Sequence, residues 1–546
     1  MSQAIRNVLI VGGGSAGWMA AAYLHQALNV PGLPPRAKIT LVESPDIPRI
    51  SVGEATIPSM RHLLAVIGVD EKDFMRATDA TFKQSIKYVN WEHLNNTYYH
   101  HPFGRTRRQP LDYSGVEWLA SDRAIPYMET CSEQPVICEM GKAPLMMGQW
   151  DMGAPLTYAY HMNAQKFADY LRDFIVPKGV QHIHANVTEI TQRDNGWIEA
   201  VHTDQDQELT ADLFIDCTGF RAKLMEQTMG VGFEDCSQWL LCDRAVAMHA
   251  PYEQHYPGLV RPYTTATALS NGWVWDIPMQ SQRSMGYVHS SAFISEADAI
   301  KELQAYQGPG CEDLPVRTVH FKVGRRQANW YGNCVAIGLS GGFIEPLEST
   351  GLYLSDLGAV MLAEYFPNQD DHMEAMAFRY NRVLSNRFYE VLDVINMHYC
   401  LTKRTDTAFW REVQKPERIN DRLRTKLEYW AQKPPSMSDF EDQLLPGQAL
   451  ATQQHNPFMQ DQRVPVDTAA LWNHESYECI LYGMHFDSDA YRARFGTDRP
   501  PLQVHPYILQ RLQQAHAKLP PHHQWLQQHV GMGQYPTAGQ PAGWVA

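Results

Sequence analysis

Val11-Gly12-Gly13-Gly14-Ser15-Ala16-Gly17-Trp18 is the stretch whose reading decides the fold. An apolar run, Asn7 to Val11, leads into it, and Ala20, Ala21, Ala22 and Leu24 follow at helical spacing. The pattern is strand, turn, helix. Gly12, Gly14 and Gly17 in G-x-G-x-x-G order permit a tight turn. They let a pyrophosphate approach the backbone N–H groups of a helix N-terminus, where partial positive charge favours an anion. A second strand, Ile39-Thr40-Leu41-Val42-Glu43, ends in a carboxylate suited to a ribose hydroxyl pair. Fingerprint, strand, helix and acid together predict an α/β dinucleotide-binding unit.

Composition agrees with a large enzyme. The chain has 546 residues, 44% hydrophobic and 11% aromatic, enough for more than one packed unit and far from a disordered composition. A formal charge of -14 argues against broad contact with a nucleic-acid backbone. No apolar run reaches the roughly 18 residues that span a bilayer. Met1-Ser2-Gln3-Ala4 leads straight into the first strand, so a soluble cytoplasmic protein without membrane partners is expected. Nine cysteines form no CxxC and the 23 histidines no HExxH, so neither a disulfide framework nor a structural metal is expected.

The α/β pattern resumes further on. Residues 183–220 are strand-rich, Asp212 to Phe220 reads as a buried strand with a Thr-Gly turn, and Asn333 to Ser340 repeats that form. The nucleotide domain is therefore discontinuous. From Leu352 to Leu427 the period turns helical, as in Phe388, Val391, Leu392 and Ile395. The expected division is an α/β domain with strand-rich insertions over 1–350 and a largely helical substrate-side module over 351–546.

Four constellations carry chemistry. Gly53 in Val52-Gly53-Glu54-Ala55-Thr56 permits close backbone contact with a ring, with a charge beside it at Glu54; read alone, the segment is also an ordinary turn and helix start. Thr81 to Trp91 alternates as a strand, with Lys83, Ser85, Lys87, Val89 and Trp91 on one face. Two lysines on one face are usually a solvated edge; a lysine turned inward among aromatics has a tunable amine. Trp273 and Trp275 in Gly272-Trp273-Val274-Trp275-Asp276-Ile277-Pro278 share one face of an extended segment and form a broad apolar wall. In Pro346-Leu347-Glu348-Ser349-Thr350-Gly351, the amides of Thr350 and Gly351 precede a helix and can bind a small anion, while Ser349 and Glu348 can equally serve as caps.

Taken together, the glycine fingerprint ending in Trp18, Gly53 to Thr56, the lysine strand, the WxWxIP segment and the Pro346 to Gly351 turn resemble the flavin-dependent tryptophan halogenase family, in order from residue 8 to about 485. The resemblance implies a glutathione-reductase-type FAD-binding domain. FAD contacts then fall at Gly12, Gly14, Ser15, Ala16, Gly17, Glu43, Gly53, Glu54, Ala55, Val187 and Gly338. It implies FAD delivered as FADH2 by a separate flavin reductase, a C4a-hydroperoxide formed with oxygen, and oxidation of chloride or bromide to hypohalous acid. That acid travels to a second site holding an electron-rich arene.

By the same resemblance Lys83 is the catalytic lysine and Glu348 orients the oxidant or takes the ring proton. Thr350 and Gly351 hold the halide, and Trp273 and Trp275 keep the arene off the flavin. His101, Phe103 and Trp472 match residues that contact the arene. The stretch from Asn456 to Asp467 offers no tyrosine pair to grip an amino-acid end, so indole or a substituted indole is expected in place of free tryptophan. Asp467 is a candidate for an indole N–H or an ammonium group, or a plain surface carboxylate. A flavin monooxygenase and a non-catalytic flavoprotein are the alternatives. Oligomeric state is not legible.

Overall fold

The computed structural model describes residues 3–49, 52–105, 113–148, 156–436, 439, 471, 472, 474–487, 493–496 and 499–536. The chain forms two interleaved compact units. Residues 1–81, 159–237 and 320–385 make the first, and 82–158, 238–319 and 386–546 the second. This differs from a cut at residue 350, because the helix Gly351–Glu364 packs in the first unit against the helix Ser15–Leu28.

In the first unit the strand Asn7–Val11 runs parallel to Lys38–Glu43 on one side and to Leu213–Asp216 on the other. Gln181–His184 extends the sheet beyond Lys38–Glu43, and Cys334–Ala336 extends it beyond Leu213–Asp216, all parallel. Four of the five residues of Asn7–Val11 are buried, which matches an unbroken apolar run in a sheet covered on both faces. Leu9, Val11, Val42, Phe214 and Ala336 share one core cluster. Gly53–Ala55 is a short strand antiparallel to Ala159–Asn163, so this segment is more than a turn before the helix Ser59–Ile67.

The second unit is built on a sheet. Arg244–Pro251, Gln282–His289, Gly272–Pro278 and Thr264–Ala268 are successive antiparallel neighbours. Ser85–Val89 joins parallel to Thr264–Ala268, and Tyr98–Pro102 follows antiparallel. The helix Glu296–Gln307 packs Ala299, Leu303 and Tyr306 onto Val274, Met285 and Tyr287. Alternation then turns Trp273 and Trp275 to the opposite face. The predicted continuous strand from Thr81 to Trp91 is interrupted: Thr81–Lys83 and Ser85–Val89 flank Gln84. Gln84 N–H donates to the Pro262 carbonyl at 2.7 Å, and its carbonyl accepts from Phe103 N–H at 3.1 Å, so the break is itself fully bonded.

Helices Gly351–Glu364, Met373–Cys400 and Asp421–Trp430 fill the stretch where helical period was expected. All nine cysteines are unpaired thiols, mostly buried. Among the described residues no helix is long and apolar enough to cross a membrane.

Candidate active site

The glycine turn is shaped by steric necessity. Gly12 has φ +116°, and a Cβ there would lie 2.2 Å from the Cys217 carbonyl oxygen. A Cβ on Gly17 would lie 1.9 Å from the Gly12 carbonyl oxygen. Gly14 is different: a Cβ there meets nothing within 4 Å. The residue that ends the turn thus opens onto empty space at the start of the helix Ser15–Leu28, whose first amides have no side-chain cap. That is the arrangement a pyrophosphate needs. Gly338, at φ +80°, sits so close to Ala16 that a Cβ would approach the Ala16 methyl to 2.7 Å. The Ser15 hydroxyl donates to the Ala164 carbonyl at 3.1 Å.

Glu43 is held by two residues that sequence spacing did not single out. Arg49 Nη2 donates to one carboxylate oxygen at 2.8 Å and His182 Nε2 lies 2.8 Å from the other. A carboxylate has about four acceptor sites, so both bonds leave capacity for ribose hydroxyls. Gly13, the variable position of the fingerprint, lies against this acid, where a Cβ would fall 2.6 Å from Glu43 Cβ. Burial keeps the His182 ring below the usual histidine range despite Glu43 beside it. Glu43, His182 and His184 bring one ligand atom each within 4.8 Å of the others. The Arg49 guanidinium on Glu43 joins them in one ion-pair and hydrogen-bond cluster.

On the strand Gly53–Ala55, Glu54 is half-buried, and loss of water around it pushes its carboxyl up to about 7. Val187 starts the strand Val187–Gln192, and its carbonyl accepts from the Lys223 amine. Beyond the expected set, Asp216 closes its strand by accepting from the backbone N–H groups of Thr218 at 2.9 Å, Leu224 at 2.9 Å and Met225 at 2.8 Å. It fixes the turn that abuts Gly12.

Ser349 adopts a left-handed conformation at φ +60°, which turns the chain into the helix Gly351–Glu364. Thr350 and Glu348 are buried, and among the described residues the Thr350 hydroxyl has no hydrogen-bond partner. A Cβ on Gly351 would meet nothing within 4 Å. A polar, uncapped helix start beside open space suits a halide without any cationic side chain.

The second unit holds the other expected residues. Lys83 is 0% exposed, with its amine 5.2 Å from the centre of the Phe103 ring. Lys87 is equally buried, so the solvated edge that paired lysines suggest does not form. Lys87 pairs with Glu139 at 2.9 Å and lies 3.9 Å over the Tyr98 ring. Burial lowers its amine below the usual lysine range, with Glu139 acting against that shift. His101 is buried opposite Ile86 on the paired strand.

Trp273 and Trp275 stand side by side, ring centres 6.4 Å apart and planes at 63°. The Trp275 ring lies over Gly286, where a Cβ would come within 2.1 Å of it. Just after Trp275 and on the opposite face, Asp276 receives both Nε, at 3.0 Å, and Nη2 of buried Arg283. Trp472 is buried, and its N–H donates to Glu390 at 2.9 Å. Asp467 and the stretch from Asn456 lie outside the described residues. A cavity of about 240 Å³ is lined by Tyr98, His100, Trp118, Tyr127, Glu129 and Tyr482 among others, none of them a residue expected to handle the arene.

The expected residues thus sort cleanly. Every flavin and halide position lies in the first unit together with Glu348, and Lys83, the paired tryptophans, His101, Phe103 and Trp472 lie in the second. The sequence profile of the family described as tryptophan halogenase matches residues 7–497. This chain belongs to the tryptophan halogenase family. It is an enzyme, a flavin-dependent halogenase.

Tryptophan 7-halogenase RebH of Lentzea aerocolonigenes is 34% identical over 512 residues, covering 90% of this chain and 91% of its own. Among solved structures, a tryptophan halogenase of Shewanella frigidimarina NCIMB 400 superposes with a TM-score of 0.85 at 32% identity, over 98% of this chain and 99% of that one. Xcc4156, a flavin-dependent halogenase of Xanthomonas campestris, gives 0.81 at 31% identity, over 98% and 100%. The shared architecture is mixed α/β with a parallel sheet.

Proposed function

We propose that this halogenase uses FADH2, oxygen and chloride or bromide to halogenate indole or a substituted indole, with Lys83 as its catalytic lysine. The observation that carries the reading is the burial of Lys83: a primary amine without solvent exposure, facing an aromatic ring, is desolvated, and its electrostatic and proton-donor effects act undiluted by water.

The first unit serves as a glutathione-reductase-type FAD-binding domain. Gly12, Gly14, Ser15, Ala16 and Gly17 cradle the pyrophosphate, Glu43 holds the ribose, and Gly53, Glu54, Ala55, Val187 and Gly338 border the cofactor. Bound reduced flavin supplies, with oxygen, the oxidising power that converts halide to hypohalous acid. Thr350 and Gly351 hold the halide on the helix-end amides. Trp273 and Trp275 exclude the arene from the cofactor, which suppresses direct hydroxylation. Lys83 receives the oxidant by hydrogen bond or as a haloamine, and Glu348 orients it and takes up the proton that the arene loses on substitution. His101, Phe103 and Trp472 contact the ring.

A separate flavin reductase supplies FADH2. The relatives named for tryptophan make free tryptophan the second substrate reading. A reaction of purified protein with a flavin reductase, NADH, oxygen and bromide, offered indole and tryptophan separately, decides between them by mass spectrometry. A bromine isotope pattern on indole in excess of that on tryptophan supports the proposal. The reverse ratio makes free tryptophan the substrate, and a gain of one oxygen without bromine would replace halogenation by hydroxylation.

A further inference from the structure

We propose that His522 is a positioning residue for Lys83, acting through the backbone N–H of Phe82, and that it sets how much oxidant reaches the arene and how much escapes to solution. The inference rests on the reading of Lys83 as the residue that handles the oxidant.

His522 opens the helix His522–Val530 and is 0% exposed. Both of its ring nitrogens are spent on backbone. Nε2 lies 3.3 Å from the N–H of Phe82, 440 residues away in sequence, and Nδ1 lies 2.9 Å from the Val260 carbonyl. Phe82 N–H can only donate and the Val260 carbonyl can only accept, so the ring is neutral with its proton on Nδ1. Burial lowers its ionisation to about 4, which keeps it so at any working pH.

The ring is one member of a clamp that converges on residues 82–84. The His522 N–H donates to the Gly141 carbonyl at 2.8 Å, and the Gln84 side chain donates to the neighbouring Lys142 carbonyl at 2.8 Å. Gln84 N–H takes the Pro262 carbonyl, two residues beyond the carbonyl that His522 holds. Trp525, one turn along the same helix, packs edge-on to the Phe82 ring at 4.7 Å, and Tyr158 does so at 4.8 Å.

Phe82 and Lys83 are adjacent on a strand, so their side chains leave opposite faces. Everything that holds Phe82 therefore acts from the face opposite the lysine while fixing where that amine starts. A buried ring with two backbone bonds does this more rigidly than packing alone, because each bond is directional. A displacement of about 1 Å at a reacting group can cost about 100-fold in rate.

The test uses flavin-loaded protein with a reductase, NADH, oxygen, bromide and indole, with free hypohalous acid scored by a small dione trap. His522→Leu is expected to keep FAD binding and total oxidant formation within about twofold. Bromoindole per oxidant should fall at least tenfold, with the missing oxidant appearing in the trap. His522→Gln, which offers both an acceptor and a donor, should restore the wild-type partition. An unchanged partition in His522→Leu overturns the proposal.

Lys83→Ala is run beside them. Normal bromoindole yield in that variant removes the lysine reading and this inference with it; loss of yield there beside wild-type coupling in His522→Leu overturns the inference alone. If His522→Leu does not fold, amide hydrogen exchange in the wild-type holoenzyme decides. Protection of the Phe82 amide that collapses as pH falls through about 4 while that of the Gln84 amide persists supports the proposal, and exchange of the Phe82 amide at loop rates, or loss of both protections together, overturns it.

Discussion

Lys83 and Lys87 stand four residues apart, and water reaches neither, yet their surroundings assign them different work. Glu139 neutralises Lys87, and His100 Nε2 shares the same carboxylate at 2.9 Å. Lys87→Met should therefore destabilise the fold by about 2 kcal/mol, the cost of stranding a partly exposed carboxylate, and leave the product ratio intact. Thermal unfolding and product analysis on one sample check both halves. Lys83→Ala should do the opposite, abolishing arene halogenation while FAD binding persists, as followed by retained flavin absorbance and loss of brominated mass. Alternation alone could not separate the two residues. What fixes Lys87 is Glu139, 52 residues away on the helix Gln134–Glu139, whose position no local pattern encodes. The glycine turn was legible for the opposite reason: its steric demands are set within a few residues and by one neighbouring strand. Arg49 and His182 escaped notice because hydrogen bonding to Glu43 leaves no periodic trace.

At the scale of elements, the strand Gly272–Pro278 shows what a motif can and cannot carry. Its strand character and the paired indoles were legible. Their support was not, since the Trp275 ring depends on the absence of a side chain at Gly286 on the facing strand. Gly286→Ala should push that ring aside. Overpacking of this kind costs about 1–3 kcal/mol, and on the proposed function the displaced wall should also raise the fraction of hydroxylated product. Mass spectrometry of the product mixture checks that outcome.

The helix Gly351–Glu364 carries a second hidden feature. Asp356 is 5% exposed, one of its carboxylate oxygens has no hydrogen-bond partner among the described residues, and burial pushes its carboxyl up to about 7. Its folded-state value lies above the unfolded one, so from about pH 4 to 7 the unfolded chain has released a proton that the native chain still holds. Native stability then falls by up to about 1.4 kcal/mol per pH unit across that window. Asp356→Asn removes the term. Its melting temperature should match the wild type near pH 4, exceed it increasingly towards pH 7, and hold a constant lead above.

Over the whole molecule these buried titrations combine, and the interleaving of the units explains why sequence position mispredicts the division. Segments 351–385 and 386–430 read alike as helix, but the first belongs to the unit of the dinucleotide sheet and the second to the other unit. Stability against acid follows from counting which groups act in which window. Between about pH 7 and 4, Asp356 and Glu54 take up protons in the native chain before the unfolded one does as pH falls, so lowering pH restores stability. His522 opposes them there: the unfolded chain binds its proton near 6.5, and the buried ring refuses it until about 4.

Below that point all signs agree. Burial alone would raise Glu92 and Glu139, but His485 and Lys403 on the first, and His100 and Lys87 on the second, hold each carboxyl down to about 2. Their stabilisation is complete above about 4.5 and lost as pH falls towards 2, while no raised acid remains to compensate. Protein stripped of flavin should accordingly keep a nearly level unfolding temperature from pH 7 to about 4.5 and lose it steeply below. Glu139→Gln, lower at pH 7, should converge on the wild type as pH approaches 2; curves that stay parallel down to that pH would show that the Lys87, Glu139 and His100 cluster is not what acid dismantles.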